Sequence, residues 1–295
     1  MDRREFFSAL GVAVAAGMVP SIARSIAQHE EGPAALSADE RFIAAQLQRG
    51  ANEGMATLPI GDLVVKMGRT LLGIPYRENT LEQPGEEHLV VNLHELDCVT
   101  FCENSLALAR TIKQHSNTPA AFEAQLRLIR YRGGVITGYG SRLHYFAEWI
   151  ADNEAKGVVR NITRHLGGRR DTRSITFMSH HRDAYPRLAD ADALASIKAA
   201  EQRLNTARRY VLTKDMVRLR QGSLRNGDIV GITTSIAGLD CSHTGIVLEA
   251  QGAVKLLHAS LTGNRVMISK GSLAAYLDAH ADDTGIIVAR PTAGT

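Results

Sequence analysis

The stretch Leu96-Asp97-Cys98-Val99-Thr100 predicts a helix that begins at a chemically reactive residue. Aspartate is a preferred helix cap, and after Asp97 apolar residues recur at the three- and four-residue steps of one helix face. Cys98 therefore falls in the first helical turn, where partial positive charge and free N–H groups favour a thiolate and can hold an oxyanion. The stretch alone predicts either a nucleophile or a buried structural cysteine.

A histidine stands at the start of an apolar strand in Ser242-His243-Thr244-Gly245-Ile246-Val247. Strand residues alternate between the two faces of a sheet, so His243 shares one face with Gly245 and Val247. From that face an imidazole can meet a helix N-terminus packed on the sheet and serve as the base for Cys98. The alternative is a strand-end histidine without a chemical role.

A second histidine, in Leu256-Leu257-His258-Ala259-Ser260, is placed to orient the first. The turn residues Gln251-Gly252 predict a hairpin, and two adjacent antiparallel strands would bring the two imidazoles within reach. His258 would then bond the second ring nitrogen of His243, as the third group of a nucleophile–base arrangement does. An imidazole in this position stabilises a charged base less than an aspartate would.

Outward from these motifs, helical periodicity comes first along the chain and strand patterns come later. Helices are predicted over 37–56, 60–72, from 97 onward, and over 119–130, 142–155 and 189–207. Strands are predicted over 208–213, 228–234, 243–249, 253–259, 264–268 and 285–290. This order indicates an α+β fold with helices packed on one face of an antiparallel sheet. The weakly periodic segment 157–190 is predicted to be an insertion or a surface excursion.

The first 27 residues have the pattern of an export signal. Asp2-Arg3-Arg4-Glu5-Phe6-Phe7 precedes a short apolar run and small residues, which is typical of a twin-arginine signal peptide over 1–27. We therefore expect a periplasmic or secreted protein with a linker over 28–36. No stable membrane anchor is expected after signal removal, because the apolar run is too short to span a bilayer and no cysteine follows it for lipid attachment.

The composition excludes some partners and leaves others open. The chain has 295 residues, and its formal net charge is only +3. Because no basic run with interleaved aromatics accompanies that charge, a nucleic-acid partner is not expected. His180-His181 lacks the spacing of a metal motif, so no metal or organic cofactor is predicted.

Three cysteines in an exported chain leave at least one thiol free, and catalysis is one reason to keep a free thiol. Cys102 lies one helical turn after Cys98 and is interpreted as a packing residue. Cys241 lies two residues before His243. A disulfide between Cys98 and Cys241 that silences the site is a lesser alternative.

A series of short motifs, taken together, resembles a known enzyme family. The motifs are Leu72-Gly73-Ile74-Pro75-Tyr76, Thr80-Leu81-Glu82, Val90-Val91-Asn92-Leu93 leading to Leu96-Asp97-Cys98-Val99-Thr100-Phe101, Ser141-Arg142-Leu143-His144-Tyr145 with Trp149-Ile150, Met178-Ser179-His180 with Tyr185-Pro186, Ser242-His243-Thr244-Gly245-Ile246 and Leu257-His258-Ala259-Ser260. Their order resembles the NlpC-type papain-like cell-wall hydrolases, which use a Cys-His-His triad. It is more closely similar to their N-acetylmuramoyl-L-alanine amidase-like branch.

The resemblance implies a papain-like α+β domain over 37–295. In such a domain an antiparallel sheet or half-barrel packs against N-terminal helices, and a helical insertion is expected near 130–207. It also implies a nucleophile at Cys98, a base at His243, an orienting residue at His258 and an oxyanion donor at Tyr76. The residues implied to bind substrate are Asp97, Arg142, His144, Tyr145, Ser179 and Ser242.

The implied substrate is a muropeptide or another peptidoglycan fragment, cut between N-acetylmuramic acid and L-alanine through a thioester. Three alternatives stay open. A γ-D-glutamyl–diamino acid endopeptidase would use the same triad on the stem peptide. A zinc-dependent hydrolase would use Cys98, His243 and His258 as metal ligands. A non-catalytic wall-binding module would use none of them chemically.

Overall fold

Nine α-helices and one eight-stranded sheet make up residues 36–293, the part of the chain that this computed structural model describes. The helices are α1 (Ala38–Asn52), α2 (Ile60–Thr70), α3 (Cys98–Lys113), α4 (Pro119–Arg130), α5 (Phe146–Ala155), α6 (Phe177–His180), α7 (Ala191–Thr206), α8 (Lys214–Arg220) and α9 (Leu273–Asp278). The strands are β1 (Val159–Asn161), β2 (Arg169–Asp171), β3 (Arg209–Thr213), β4 (Ile229–Thr234), β5 (Cys241–Ala250), β6 (Ala253–Ser260), β7 (Arg265–Ile268) and β8 (Asp283–Pro291).

The predicted α+β class is confirmed by this order of elements. The predicted signal peptide over 1–27 and the predicted linker up to residue 35 lie outside the described residues. Within 36–293, no helix combines the length and the apolar character that crossing a membrane requires.

The sheet is open and antiparallel, in the order β2-β3-β8-β4-β5-β6-β7, with β1 also paired to β8. Strands β5 and β6 form the predicted hairpin, because Ala250 pairs with Ala253 and only two residues lie between them. Gln251 and Gly252 both have positive φ, 54° and 73°. This is the type I′ geometry, whose twist matches that of the flanking strands. The hairpin aligns the strand that carries His243 with the strand that carries His258.

Helix α3 is the central element of the core. All its residues from Thr100 to Ile112 are buried, between α2 on one side and strands β5 and β6 on the other. The approach of α2 is close at Gly68, where an added Cβ would lie 3.1 Å from Leu257 and 3.2 Å from the ring of Phe101. A larger side chain at that position would push α2 away from α3 and the sheet.

A buried ion pair ties α3 to α4. The Arg130 Nε and the Glu103 Oε2 are 2.6 Å apart, and both side chains are only 2% exposed. Trp149 of α5 donates its indole N–H to the same carboxylate at 3.2 Å. Burial raises the pKa of Glu103, and the Arg130 charge works against that rise. The pair therefore depends on both partners being present.

Replacing Arg130 with leucine is expected to lower the free energy of unfolding by about 3–5 kcal/mol, because Glu103 would be left as an uncompensated buried charge. Urea denaturation of the two proteins measures this loss. The matched control is Arg127→Leu on the exposed face of the same helix, which should change stability by less than about 0.5 kcal/mol. Equal effects of the two substitutions would contradict the role given to the pair.

Two predicted helix boundaries were wrong. The first helix ends at Asn52 and not near 56, because Gly54 takes a left-handed conformation with φ of 61°. The helix predicted from 142 begins at Phe146, because Arg142 is extended and forms an isolated bridge with Tyr131. The short elements β1, β2, α6, α8 and α9 were not predicted, since each is too short to show a clear period.

The segment between α4 and β3 contributes an apolar cluster of its own. Its buried members come from the loop before α5, from the segment 175–188 that contains α6, and from one face of α7. They are Tyr139, Tyr145, Ile175, Met178, Leu188, Ala193, Ile197 and Leu204. This cluster packs beside the N-terminus of α5, so it stands next to the edge of the main core where α3 begins.

Candidate active site

Cys98 is the first residue of α3, and Asp97 caps that helix as predicted. The Asp97 carboxylate accepts from the backbone N–H groups of Val99 and Thr100 at 2.9 and 2.7 Å. The Thr100 hydroxyl in turn accepts from the Asp97 N–H at 2.9 Å, which completes a capping box. Asp97 therefore acts on the helix, and it is not among the residues that line the cavity described below.

Thr244 fixes this helix terminus against strand β5. Its hydroxyl donates to the Cys98 carbonyl oxygen at 2.8 Å, and the Cys102 sulfur lies 3.7 Å from the same hydroxyl. Thr244 is buried, and it follows His243 directly in β5. The contact therefore sets the distance between the helix that carries the thiol and the strand that carries the imidazole.

His243 and His258 form a direct hydrogen bond across the β5–β6 hairpin. The His243 Nε2 and the His258 Nδ1 are 2.7 Å apart, with the ring planes at 83°. Gly245 permits this approach, because an added Cβ at 245 would lie 3.1 Å from the His258 Cβ. Since Nε2 of His243 is occupied, its Nδ1 is the ring nitrogen left for another partner.

A cavity of about 160 Å³ lies between the start of α3 and the start of β5. Cys98 and His243 both line it, together with Ser242 and Thr244. Its other walls come from α3, from the loop before α5 and its first residue, from α6, from the segments before α7 and β5, and from the first residue of β5. These residues are Val99, His144, Tyr145, Phe146, Met178, Tyr185, Leu239, Asp240 and Cys241. The structure thus brings the predicted nucleophile and the predicted base to one small space.

Burial sets the charge state of the two groups. It raises the pKa of the Cys98 thiol to about 12, and the Asp97 carboxylate raises it further, while hydrogen bonds to Thr244 act in the opposite direction. Burial also lowers the pKa of His243 to about 3, helped by the charges of His258 and His280. At neutral pH the resting pair is therefore a thiol and a neutral imidazole. The thiolate expected from the helix terminus is not favoured, because burial penalises the charged form of the thiol.

Tyr76 lies on the segment that leads into this helix terminus. Residues 75–77 bridge to Leu96, with the Leu96 N–H donating to the Pro75 carbonyl at 3.0 Å. Burial raises the pKa of Tyr76, and a negative charge on Cys98 raises it further. The phenol therefore stays protonated and can donate a hydrogen bond.

His144 and Tyr145 both line the cavity, and each is held by a hydrogen bond of its own. The His144 Nε2 lies 2.9 Å from the Tyr139 carbonyl oxygen, and burial lowers the pKa of His144 to about 3. The Tyr145 hydroxyl donates to the Glu201 carboxylate at 2.7 Å and accepts from the Met178 N–H at 2.8 Å. Both rings are therefore fixed before any substrate is present.

Ser179 is close to the cavity but does not line it. Its N–H donates to Glu201 at 3.0 Å and its hydroxyl to the Thr176 carbonyl at 3.2 Å, while the neighbouring Met178 faces the cavity. Ser242 does line the cavity, and its hydroxyl lies 3.4 Å from the Asp283 carboxylate.

Arg142 lies away from the cavity. Its guanidinium donates to the Glu82 carboxylate at 2.6 Å and to the Leu81 carbonyl at 3.0 Å, and it lies 3.6 Å from the Glu87 carboxylate. The residue is only 4% exposed. The structure therefore does not support the predicted substrate-binding position, since internal carboxylates already neutralise this cation.

Several residues that shape the site were not singled out in the sequence. Asp240 and Tyr185 line the cavity, and the Asp240 carboxylate accepts from the Ala147 N–H at the start of α5 at 2.7 Å. Tyr276 of α9 packs against both histidines. Tyr185 belongs to the Tyr185-Pro186 motif but was given no role, and Asp240 lies two residues before the Ser242 motif. No local pattern marks Tyr276.

The cysteines and histidines are also relevant to two alternatives, a disulfide between Cys98 and Cys241 and a zinc site. Cys98, Cys102 and Cys241 are all free thiols. Among residues 36–293, no group of three His, Cys, Asp or Glu side chains is arranged to hold a metal ion. The His243 and His258 nitrogens face each other at hydrogen-bond distance, whereas two ligands of one zinc ion each point to the metal at about 2.0–2.1 Å.

Comparison with known proteins places this geometry in a family. The family model described as AmiA-like, N-acetylmuramoyl-L-alanine amidase-like, matches residues 66–286. The chain belongs to the N-acetylmuramoyl-L-alanine amidase-like family. The matched residues include Cys98, His243 and His258, so the described site lies within the family domain.

Solved structures agree with this assignment. The chain is similar to an N-acetylmuramoyl-L-alanine amidase from Bacteroides uniformis ATCC 8492, at 36% identity and a TM-score of 0.75, over 79% of this chain and 99% of that one. A second structure with the same name and source gives 37% identity over the same shares, with a TM-score of 0.75. A Legionella pneumophila protein shares the fold at 18% identity and a TM-score of 0.65, over 86% of this chain and 95% of that one. The search of curated proteins gives no match.

The rate at which iodoacetamide alkylates Cys98 is expected to rise about tenfold per pH unit between pH 6.5 and 9.5, because only the thiolate reacts and the pKa of the thiol is raised to about 12. Mass spectrometry of the modified peptide measures the rate, and Cys98→Ser gives the background from the other two thiols. A plateau already reached near pH 7 would show a preformed thiolate–imidazolium pair instead.

Replacing Glu201 with leucine is expected to cost about 2–4 kcal/mol of folding free energy, since the Tyr145 hydroxyl and the Ser179 N–H would lose their common acceptor. Thermal or urea unfolding measures the change. Glu201→Gln is the matched control, because its amide oxygen can accept both bonds, and its cost should stay below about 1 kcal/mol. A glutamine variant as unstable as the leucine variant would argue against this network.

Proposed function

We propose that this chain is a cysteine amidase that cleaves the bond between the lactyl group of N-acetylmuramic acid and L-alanine in peptidoglycan fragments. The observation that carries the proposal is the His243–His258 hydrogen bond of 2.7 Å in a site whose cavity also exposes Cys98. Membership of the amidase-like family supplies the hydrolase class and a cell-wall substrate.

In the first step, the Cys98 thiol and the His243 imidazole both start uncharged. His243 donates its Nε2–H to His258 Nδ1, so His243 Nδ1 carries the lone pair that takes the proton of the Cys98 thiol. The sulfur attacks the lactyl carbonyl carbon as that proton leaves, and the carbonyl oxygen becomes an oxyanion. The N–H of Cys98, at the free end of α3, and the Tyr76 hydroxyl are the proposed donors, each worth about 3–4 kcal/mol in comparable sites.

The second step releases the two products. The imidazolium of His243 returns its proton to the alanine nitrogen as the C–N bond breaks, which leaves a thioester on Cys98 and a free peptide amine. His243 then takes a proton from water, and the hydroxide attacks the thioester. The carboxylic acid of the lactyl group leaves, and the thiol is restored by the same proton.

The cavity walls suggest how the acyl part is held. Tyr145 and His144 are rigid, half-polar rings, and Ser242 is an exposed hydroxyl beside the base. Met178 supplies the apolar contact. Arg142 has no part in this proposal, because its charge is already paired inside the fold.

A papain-like arrangement and an exported location complete the proposal. A nucleophile at a helix N-terminus packed on an antiparallel sheet with the base on a strand is the layout expected of NlpC-type enzymes. The twin-arginine pattern in residues 1–27 would deliver the enzyme to the periplasm or the medium, where peptidoglycan is found.

Digestion of defined muropeptides by the wild type and by Cys98→Ala tests the reaction. Mass analysis is expected to show free N-acetylmuramic acid and an intact stem peptide that begins with L-alanine. Cys98→Ala should reduce kcat at least about 10³-fold, because the nucleophile is lost. Cys102→Ala is the matched control on the same helix, and it should keep activity within about threefold if the variant folds.

The other outcomes separate the alternatives. Stems shortened after D-glutamate would identify the γ-D-glutamyl endopeptidase reaction and reject the amidase. Activity that survives iodoacetamide but is lost with a chelator would identify a zinc enzyme. Binding of muropeptides with no turnover by the wild type would identify a non-catalytic wall-binding module.

A further inference from the structure

Tyr276, on α9, packs against both imidazoles of the proposed base pair. Its ring lies edge-on to His258, at a centroid distance of 5.2 Å and an interplanar angle of 85°. The same ring lies nearly parallel to His243, at 6.2 Å and 21°. One aromatic side chain therefore contacts the two rings whose mutual hydrogen bond the mechanism needs.

Helix α9 holds Tyr276 in this position. Ser272 caps the helix, and Leu273 and Leu277, one turn apart, are buried in the core beneath the sheet. The Tyr276 N–H donates to the Ser272 carbonyl at 2.8 Å. Because two leucines anchor one stripe of this short helix, the neighbouring position 276 is held firmly beside the histidines.

A third histidine, His280, also packs against the Tyr276 ring. His280 packs on it at a centroid distance of 4.5 Å, and the His280 Nδ1 lies 2.8 Å from the Tyr276 carbonyl oxygen. Asp283 lies 3.8 Å from that nitrogen and within 3.4 Å of the Ser242 hydroxyl. Burial, with the charges of Asp283 and Cys98, raises the pKa of Tyr276 to about 12, so the phenol is neutral at neutral pH.

A histidine ring needs such support, because its second side-chain torsion is broad and roughly two-fold. A half-turn about that torsion exchanges the two ring faces and changes which nitrogen points where. The single hydrogen bond to His258 restrains one nitrogen of His243, and His258 is itself an imidazole with the same freedom. A rigid aromatic ring that packs edge-on to one imidazole and nearly parallel to the other limits that freedom.

We propose that Tyr276 is a positioning residue that fixes the planes of His243 and His258, so that Nε2 of His243 stays bonded to His258 and Nδ1 stays free for Cys98. The kinetic consequence rests on the proposed function. The structural consequence is one fixed tautomer of His243, and it does not depend on the proposed function.

Kinetics of the full chain on the muropeptide substrate test the first consequence. Tyr276→Leu is expected to lower kcat about 10- to 100-fold while KM stays within about twofold, because Tyr276 is not among the residues that line the cavity. Tyr276→Phe keeps the ring and should stay within about threefold of the wild type. Tyr210→Leu removes the same atoms from a partly buried tyrosine of β3, and it should leave kcat unchanged.

Nitrogen-15 NMR of the histidine side chains tests the second consequence without substrate. The wild type and Tyr276→Phe are expected to show His243 as the Nε2–H tautomer alone, with the resonance assigned by its loss in His243→Gln. Tyr276→Leu should show averaged nitrogen shifts from a mixture of tautomers. If that variant does not fold, Tyr276→Met, which also lacks a ring, replaces it.

The outcomes are distinct. Averaged shifts together with reduced kcat support the proposal. Wild-type shifts in the leucine or methionine variant overturn it, whether or not kcat falls, and so does wild-type kcat with averaged shifts. If the wild type does not cleave muropeptides, the proposed function fails while the NMR comparison still decides the role of Tyr276.

Discussion

The hydrogen bond from the Thr244 hydroxyl to the Cys98 carbonyl is the constraint on which the site depends, because it joins the helix of the thiol to the strand of the imidazole. Two other contacts hold the same helix terminus: the capping box of Asp97 and Thr100, and the bridge that brings Tyr76 beside Leu96. The thiol, the imidazole and the Tyr76 phenol are thus positioned by contacts that involve backbone groups. Such contacts restrain their positions more firmly than contacts between flexible side chains alone would.

The burial that holds these groups also decides their charges. The thiol and the imidazole are both neutral at rest, because burial penalises the charged form of each. His258 brings no negative charge to reverse this. Under the proposed mechanism, the proton would move as the sulfur attacks, and stabilisation of the developing oxyanion would lower the barrier more than preformed ionisation does.

The walls of the cavity come from a part of the chain that adds a third apolar cluster beside the main core. Tyr145 connects the two regions, because its ring faces the cavity while its hydroxyl is bound to Glu201 of α7 and to the Met178 N–H. Helix α9 supports the two histidines from another part of the chain, because its Tyr276 packs against both imidazole rings. The proposed catalytic residues Cys98, His243 and His258 therefore lie on α3, β5 and β6, and the elements that pack around these three shape the site.

Residue order and spacing were enough to predict the features that depend on neighbouring residues. The cap at Asp97, the period of α3, the Gln251-Gly252 turn and the α+β order follow from local backbone preference and side-chain spacing. The contacts of each side chain were visible only in the folded structure. Arg142 reads in sequence as a cation for substrate, yet Glu82 and Glu87 enclose it. Cys98 reads as a thiolate, yet burial keeps it protonated, and no pattern marks Tyr276, because desolvation and contacts between distant segments leave no local period in a sequence.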